Sequence, residues 1–402
     1  MTCEVAVMNT RGIALAADSA VTLGAGEKIF FTAQKLFELA PAIPVGILVY
    51  DNADLAGVPW ETIVAGYRKH LGSRRHGTLT EYLSDFVAFI EGAKPMFPEE
   101  EQRKYFADTV ASLWIDLYAR PWKEELDTTS RRGGDDRYEL LRRRIAEDHT
   151  SWEQCPPLEG VDPNFPDAVI ADSDDALKKI EDEVFESNKL PKDIRDSLRK
   201  SLRFFLSRKS GEIGDGTGLV IAGMGEAEHF PGLLQCYAGP IVKGRLRVDT
   251  LDSGQISPTT NSAWIKPFAQ SATIELIISG IHPGLRAELP GLVSNSIDKE
   301  TRKGPEDGIL KRFQDDLDKQ ILGYSSPYLD AVEGMPRLEL AAMAEVLVNL
   351  TVFRRHASVG SETVAGPIDV ALLSKDDGFV WVNRKRSRGL RARPAVSSLE
   401  PD

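Results

Sequence analysis

The stretch Thr2-Cys3-Glu4-Val5-Ala6-Val7-Met8-Asn9-Thr10-Arg11-Gly12-Ile13-Ala14-Leu15-Ala16-Ala17-Asp18-Ser19 decides how the chain is read. Its apolar runs, 5–8 and 13–17, have strand length and flank Asn9-Thr10-Arg11-Gly12, so they predict a β-hairpin. Thr2 lies directly behind the initiator Met, and a small second residue permits removal of that Met. A chain beginning at Thr2 carries a hydroxyl and a free α-amine on one residue. An α-amine titrates near pH ~8, so the pair can supply nucleophile and base together. Asp18 ends the second apolar run, and Lys35 follows just ahead of Leu36.

Thr–x–x–Val–Ala–Val at 2–7, Gly–x–x–Leu–Ala–Ala–Asp–Ser at 12–19 and Lys35-Leu36 together resemble the proteasome β-type subunits and their bacterial relatives. Those are N-terminal-nucleophile (Ntn) hydrolases. The resemblance implies Thr2 as nucleophile, Asp18 as support for Lys35, and Lys35 as the group that tunes Thr2. The lysine stands one residue farther along than in that family, a difference that the loop over 23–34 absorbs. An apolar strand at 45–50 leads through a polar turn to a helix at 60–71, which is also the family's order. There a glycine at the strand's end gives its N–H to the oxyanion; here Tyr50 and Asp51 hold that place. The turn before helix 270–279 carries Gly-Ser-Gly in the family, and Ser262 is the serine taken for it here. After the helix at 337–355, Ser358 stands for the family's serine, with Arg355 or His356 where an Asp is expected. That helix, the Ser-Val-Gly and Gly-Pro-Ile-Asp runs and the strand behind them are most similar to the Anbu-type bacterial homologue.

Composition narrows the function classes. With 42% hydrophobic and 27% charged residues the chain reads as an ordinary soluble globular protein. A net charge of −12 argues against a general nucleic-acid binder. No apolar run has membrane-spanning length, and the N-terminus lacks a signal peptide's basic start, so a cytoplasmic location is expected. Cys3, Cys155 and Cys236 show no metal or disulfide spacing, and the six histidines are scattered, so neither metal nor cofactor is expected. Gly223-Met224-Gly225 lacks both a following lysine and a helix opening behind it, which rules against a nucleotide loop.

Helical periodicity at 82–90, 99–118, 137–148, 174–186 and 194–206 predicts an inserted helical region. Strands are expected at 218–223, 233–239, 245–250, 366–373 and 378–382, and a further helix at 310–322. The helix at 337–355 shows an apolar stripe of Leu338, Ala341, Ala342, Val346, Leu350 and Phe353. No period is legible over 281–297. Hairpins and helical blocks, rather than βαβ alternation, predict an α+β chain. With the resemblance, the expectation is a four-layer αββα sandwich. Its parts would be a core at 1–78 and 213–384, a helical insertion at 79–212 and a disordered tail at 385–402.

The function implied is an N-terminal threonine peptidase acting on a peptide or unfolded protein. It would work as a homo-oligomer, ring or helical stack, with an ATPase unfoldase as a further partner. Two rivals stay open: an inactive proteasome-like scaffold subunit, and a non-peptidase Ntn amidase in which processing exposes Cys3.

Overall fold

The computed structural model describes residues 2–23, 28–30, 33–39, 43–128, 136–186, 190–296, 306–357 and 366–384. Strands β1 (Cys3–Asn9) and β2 (Gly12–Ala17) form the expected hairpin, with Val5 opposite Ala16 and Met8 opposite Ile13. Asn9 fixes the turn: its Oδ1 accepts the Arg11 N–H at 2.9 Å, and its amide donates to the carbonyls of Val332 and Met335 at 2.7 and 2.9 Å. A Cβ on Gly12 would lie 2.8 Å from the Leu373 carbonyl oxygen, so a larger residue there would push a neighbouring strand away. The short strands β3 (Val21–Leu23) and β4 (Lys28–Phe30) pair with each other before β5 (Leu36–Glu38) and β6 (Val45–Asp51). A second short pair, β7 (Asp54–Leu55) and β8 (Val58–Pro59), turns the chain into α1 (Trp60–Leu71) and then α2 (Leu79–Gly92).

A helical stretch follows: α3 (Glu99–Trp114), a π-helical turn (Ile115–Ala119), α4 (Arg120–Thr128), α5 (Asp136–Gln154), α6 (Phe165–Asp172), α7 (Asp174–Val184) and α8 (Lys192–Ser207). The chain returns to strand in β9 (Thr217–Gly223), β10 (Gly232–Val242), β11 (Arg245–Gln255) and β12 (Ala263–Ala269). Four helices come next, α9 (Ala272–Ser279), α10 (Pro283–Ser296), α11 (Glu306–Gly334) and α12 (Arg337–His356), and then β13 (Asp369–Ser374) and β14 (Gly378–Asn383).

The long strands make two antiparallel sheets, ordered β12-β1-β2-β13-β14 and β11-β10-β9-β6-β5. Strand alternation sends Ala6, Met8, Ile13 and Leu15 into a cluster shared with Leu48, Val220 and Leu373, between the sheets. The intervening Val5, Val7, Ala14 and Ala16 pack against α9, α11 and α12. On the second sheet, Val45, Ile47 and Leu219 pack against α1 and α2. Both faces of β1 are therefore buried, which is why its sequence reads as a continuous apolar run instead of an alternating one.

Three readings of the sequence need correction. Residues 263–269 are not a turn but the edge strand β12, paired to β1 with Val5 opposite Pro267. Pro267 argues against a strand in sequence, yet at a sheet edge its missing N–H costs no ladder bond. The span 281–297, where no period is legible, contains α10; Leu285 and Leu292 are exposed there and Pro290 sits inside the helix, so no buried stripe exists to be read. The sequence stripe on α12 is not its buried face: Leu340, Ala341, Ala344, Leu347 and Val348 are buried, whereas Leu338, Val346, Leu350 and Phe353 are exposed. Helix α2 shares the cluster of α1, and α3–α8 pack around Val110, Trp114, Leu141, Leu198 and Phe205 together with Val242 of β10. The segments expected as loops at 128–134 and 298–308, and as a tail after 384, lie wholly or in part outside the described residues.

Candidate active site

Thr2 stands immediately before β1, and its carbonyl accepts the Gln270 N–H at 3.0 Å, which extends the β1–β12 pairing to the chain's start. Alternation along the strand places the Thr2 and Glu4 side chains on the face turned to the second sheet and Cys3 on the other. Asp18 follows β2 and is held by backbone. Its N–H donates to the Cys3 carbonyl at 3.1 Å, its Oδ1 accepts the Cys3 N–H at 3.0 Å, and its Oδ2 accepts the Ala20 N–H at 3.1 Å. The Lys35 Nζ donates to the same Oδ1 at 2.6 Å. Lys35 is only 3% exposed, and its carbonyl is fixed by the Val49 N–H at 2.9 Å. The structure thus brings Thr2, Asp18 and Lys35 together around the end of the hairpin. Removing one partner of such a buried pair leaves an uncompensated charge, at a cost of about 3–5 kcal/mol.

A fourth group completes the cluster, and the sequence reading missed it. Glu4 is 0% exposed. Its Oε2 accepts the Thr2 hydroxyl at 3.2 Å, and its Oε1 lies 3.9 Å from the Lys35 Nζ with no hydrogen-bond partner among the described residues. Burial raises its carboxyl well above the usual range; Lys35 opposes that shift, Asp18 adds to it, and the bond from Thr2 opposes it. The signal available in the sequence was a charged residue inside an apolar run, two places from Thr2 and so on the same strand face.

Thr2 and Lys35 line a pocket of about 200 Å³ together with Val49, Tyr50, Asp51 and Glu61. Because the Val49 N–H points to β5, the Asp51 N–H, two residues on, points to the same edge, beyond the last β5 pairing and into the pocket's side of the sheet. Asp51 has φ +67°, a left-handed conformation that Asp tolerates better than most residues, and this is where the strand breaks towards α1. Its side chain reaches solvent, but the surrounding protein and then the Glu212 carboxylate push its pKa up to about 6. The Tyr50 side chain instead packs inward. Its hydroxyl donates to Glu212 Oε1 at 2.6 Å and accepts from Gln235 Nε2 at 2.8 Å, and burial raises its pKa above the ordinary phenol value. A Cβ on Gly218 would fall 1.9 Å from the Tyr50 ring, so that glycine makes room for it.

The structure does not bring Ser262 to the site. It precedes Ala263, which pairs with Asn9 at the far end of β1 from Thr2; the error came from reading β12 as a turn. The turn beside Thr2 is Gln270-Ser271-Ala272, at the start of α9. Ser358 lies outside the described residues. Cys3 is buried among the helix-facing residues, and burial pushes its thiol up to about 12, so it is no nucleophile in this setting. Among the described residues no group of three or more His, Cys, Asp or Glu is placed to hold a metal ion, and no helix is long and apolar enough to cross a membrane.

No family model and no curated protein matches the chain. Among solved structures it is similar to Anbu from Hyphomicrobium sp. strain MC1 (11% identity, TM-score 0.31, covering 96% of this chain and 86% of that one). It is similar also to Anbu (ancestral beta-subunit) from Yersinia bercovieri (11%, 0.30, 96% and 89%) and to a helical assembly of the Anbu complex from Pseudomonas aeruginosa (13%, 0.31, 96% and 88%). At such TM-scores these likenesses decide nothing about the site.

Proposed function

We propose that the chain is a proteasome-like threonine hydrolase, which cleaves amide bonds in a peptide or unfolded protein through a Thr2 freed by removal of Met1. The observation that carries this reading is the buried Asp18–Lys35 pair at 2.6 Å, set beside a Thr2 that lines the same pocket as Lys35. A cation fixed by a backbone-held carboxylate lowers the cost of an alkoxide on Thr2 without offering itself as a mobile charge. The alkoxide attacks a carbonyl carbon, the amine leaves, and water hydrolyses the resulting ester. The Asp51 N–H is the oxyanion donor, a contribution of about 3 kcal/mol. The α-amine of Thr2 is the base that the family resemblance implies.

The same reading accounts for the architecture as a four-layer αββα sandwich, with α3–α8 as an insertion. The exposed stripe on α12 serves contact between copies of the chain. Ser271, not Ser262, takes the place of the family's serine. The Cys3 amidase has less support, since Cys3 lies on the helix-facing side of β1, away from the pocket that Thr2 lines. A non-catalytic scaffold draws on the Gln270-Ser271-Ala272 turn where the family has Gly-Ser-Gly, on Arg355 or His356 where the family has an Asp, and on the large helical insertion. Intact-mass and peptide-mapping spectrometry after treatment with a hydroxyl-acylating peptidyl β-lactone separates the readings. The hydrolase acquires one acyl group on Thr2 and Thr2→Ala acquires none, while a correctly processed but unlabelled chain selects the scaffold.

A further inference from the structure

The Thr2 hydroxyl donates to a side chain, the carboxylate of Glu4, at 3.2 Å. We infer that Glu4 is a catalytic residue of the Thr2 reaction, the base that takes the hydroxyl proton as Oγ1 attacks. The inference rests on the reading of Thr2 as nucleophile. Three features of the site carry it. The Glu4 Oε2 lies 3.2 Å from Thr2 Oγ1, within reach for direct transfer, and β1 holds both residues on one face. Its other oxygen has no hydrogen-bond partner among the described residues, although the residue is wholly buried. A carboxylate placed there for stability alone would be expected to have both oxygens satisfied. Lys35 lies 3.9 Å from the other Glu4 oxygen and is held at 2.6 Å by Asp18, so it serves as the fixed charge and not as the base.

The proton balance is complete. Glu4 Oε2 takes the proton of Thr2 Oγ1 as the Oγ1–C bond forms and the carbonyl pair moves to oxygen. When that pair returns and the C–N bond breaks, Glu4 gives the proton to the departing nitrogen. In the second half the attacking water gives its proton to Glu4, which passes it to Oγ1 as the ester C–O bond breaks. The groups that set the protonation of Glu4 are Lys35 ahead of β5, Asp18 after β2, Thr2 beside it and Asp51 at the end of β6. Glu4 takes up its proton in the field of those groups, so the pH at which the active form appears is set by the cluster and not by Glu4 alone.

The test measures acylation of Thr2 by the peptidyl β-lactone, which needs the hydroxyl and not the amine. It covers pH about 5 to 9 and several inhibitor concentrations, on the full chain. The wild type is acylated at Thr2 with a rate that falls on the acid side. Glu4→Gln keeps an acceptor for the hydroxyl but cannot take its proton: the limiting rate falls by about 100-fold or more, KI is unchanged and the acid limb disappears. Glu4→Ala is slow as well, and added formate restores its rate. Normal acylation with the same acid limb in Glu4→Gln overturns the inference and leaves Thr2 as nucleophile. So do slow variants that keep the limb and ignore formate. A wild-type chain with no acylation at Thr2 overturns the inference together with the reading it rests on.

Discussion

Lys35 faces two buried carboxylates, Asp18 at 2.6 Å and Glu4 at 3.9 Å, and its ammonium is what makes that arrangement tolerable. Lys35→Met fills the space without the charge. Acylation of Thr2 should fall by orders of magnitude, and thermal melting at pH ~8 should drop by an amount equivalent to about 3–5 kcal/mol. Without the cation the Glu4 carboxyl loses the charge that opposes its upward shift. Its stability contribution is then fully present only below the unfolded carboxylate pKa and is lost as pH rises, so the deficit narrows towards pH ~4.5. A deficit that does not change with pH would contradict the pairing. Glu4 gives the opposite sign of test. Its folded pKa lies well above the ordinary glutamate value of 4.5, so the wild type loses stability as pH rises from there through the folded value. Glu4→Gln has no such loss, and at pH ~8 it should melt higher than the wild type while reacting more slowly. Lower melting would mean that Glu4 is kept for structure. Thr2, Asp18 and Lys35 were singled out in the sequence by the family resemblance that their motifs carry. Glu4 was not, because its meaning depends on which face of β1 looks into the site.

At the scale of elements, β6 ends in a residue with φ +67° that lends its N–H to the pocket's side of the sheet. Gly adopts that conformation at no steric cost, so Asp51→Gly should stabilise the chain by about 1 kcal/mol. It should leave Thr2 acylation intact, since the donor is main chain. It also removes the carboxyl that titrates near 6, so any part of the pH profile that survives in Asp51→Gly belongs to the other groups. Loss of acylation in this variant, with the fold intact, would show that the Asp51 side chain and not its N–H is needed. The hairpin β1–β2, strand β6 and helix α1 could be read from sequence because each has a clear period and a turn signal. Edge strand β12 and helix α10 could not, because Pro267 and Pro290 argue locally against elements that the tertiary setting accepts. The face of α12 was misread for a related reason: its most apolar stripe is not the one this subunit buries.

Over the whole molecule that stripe is the clearest unspent surface. Leu338 and Phe353 are each 69% exposed, and Val380 and Val382 on the edge strand β14 lie open with Leu338 in a shallow groove. An apolar band of this kind on a folded chain marks a contact surface. Sedimentation velocity at micromolar concentration should show an assembly of several copies that high salt does not disperse. Leu338→Asp with Phe353→Asp should reduce it to monomers without lowering the melting temperature of the subunit. A wild-type chain that sediments as a clean monomer would remove the homo-oligomer from the account.

Peptide mapping of the purified chain after exposure to the β-lactone decides whether Thr2 is the nucleophile. A mature chain beginning at Thr2, with one acyl group on that residue and none on Thr2→Ala, is expected. A correctly processed chain that stays unlabelled, or a label that persists when Thr2 is replaced, would contradict it.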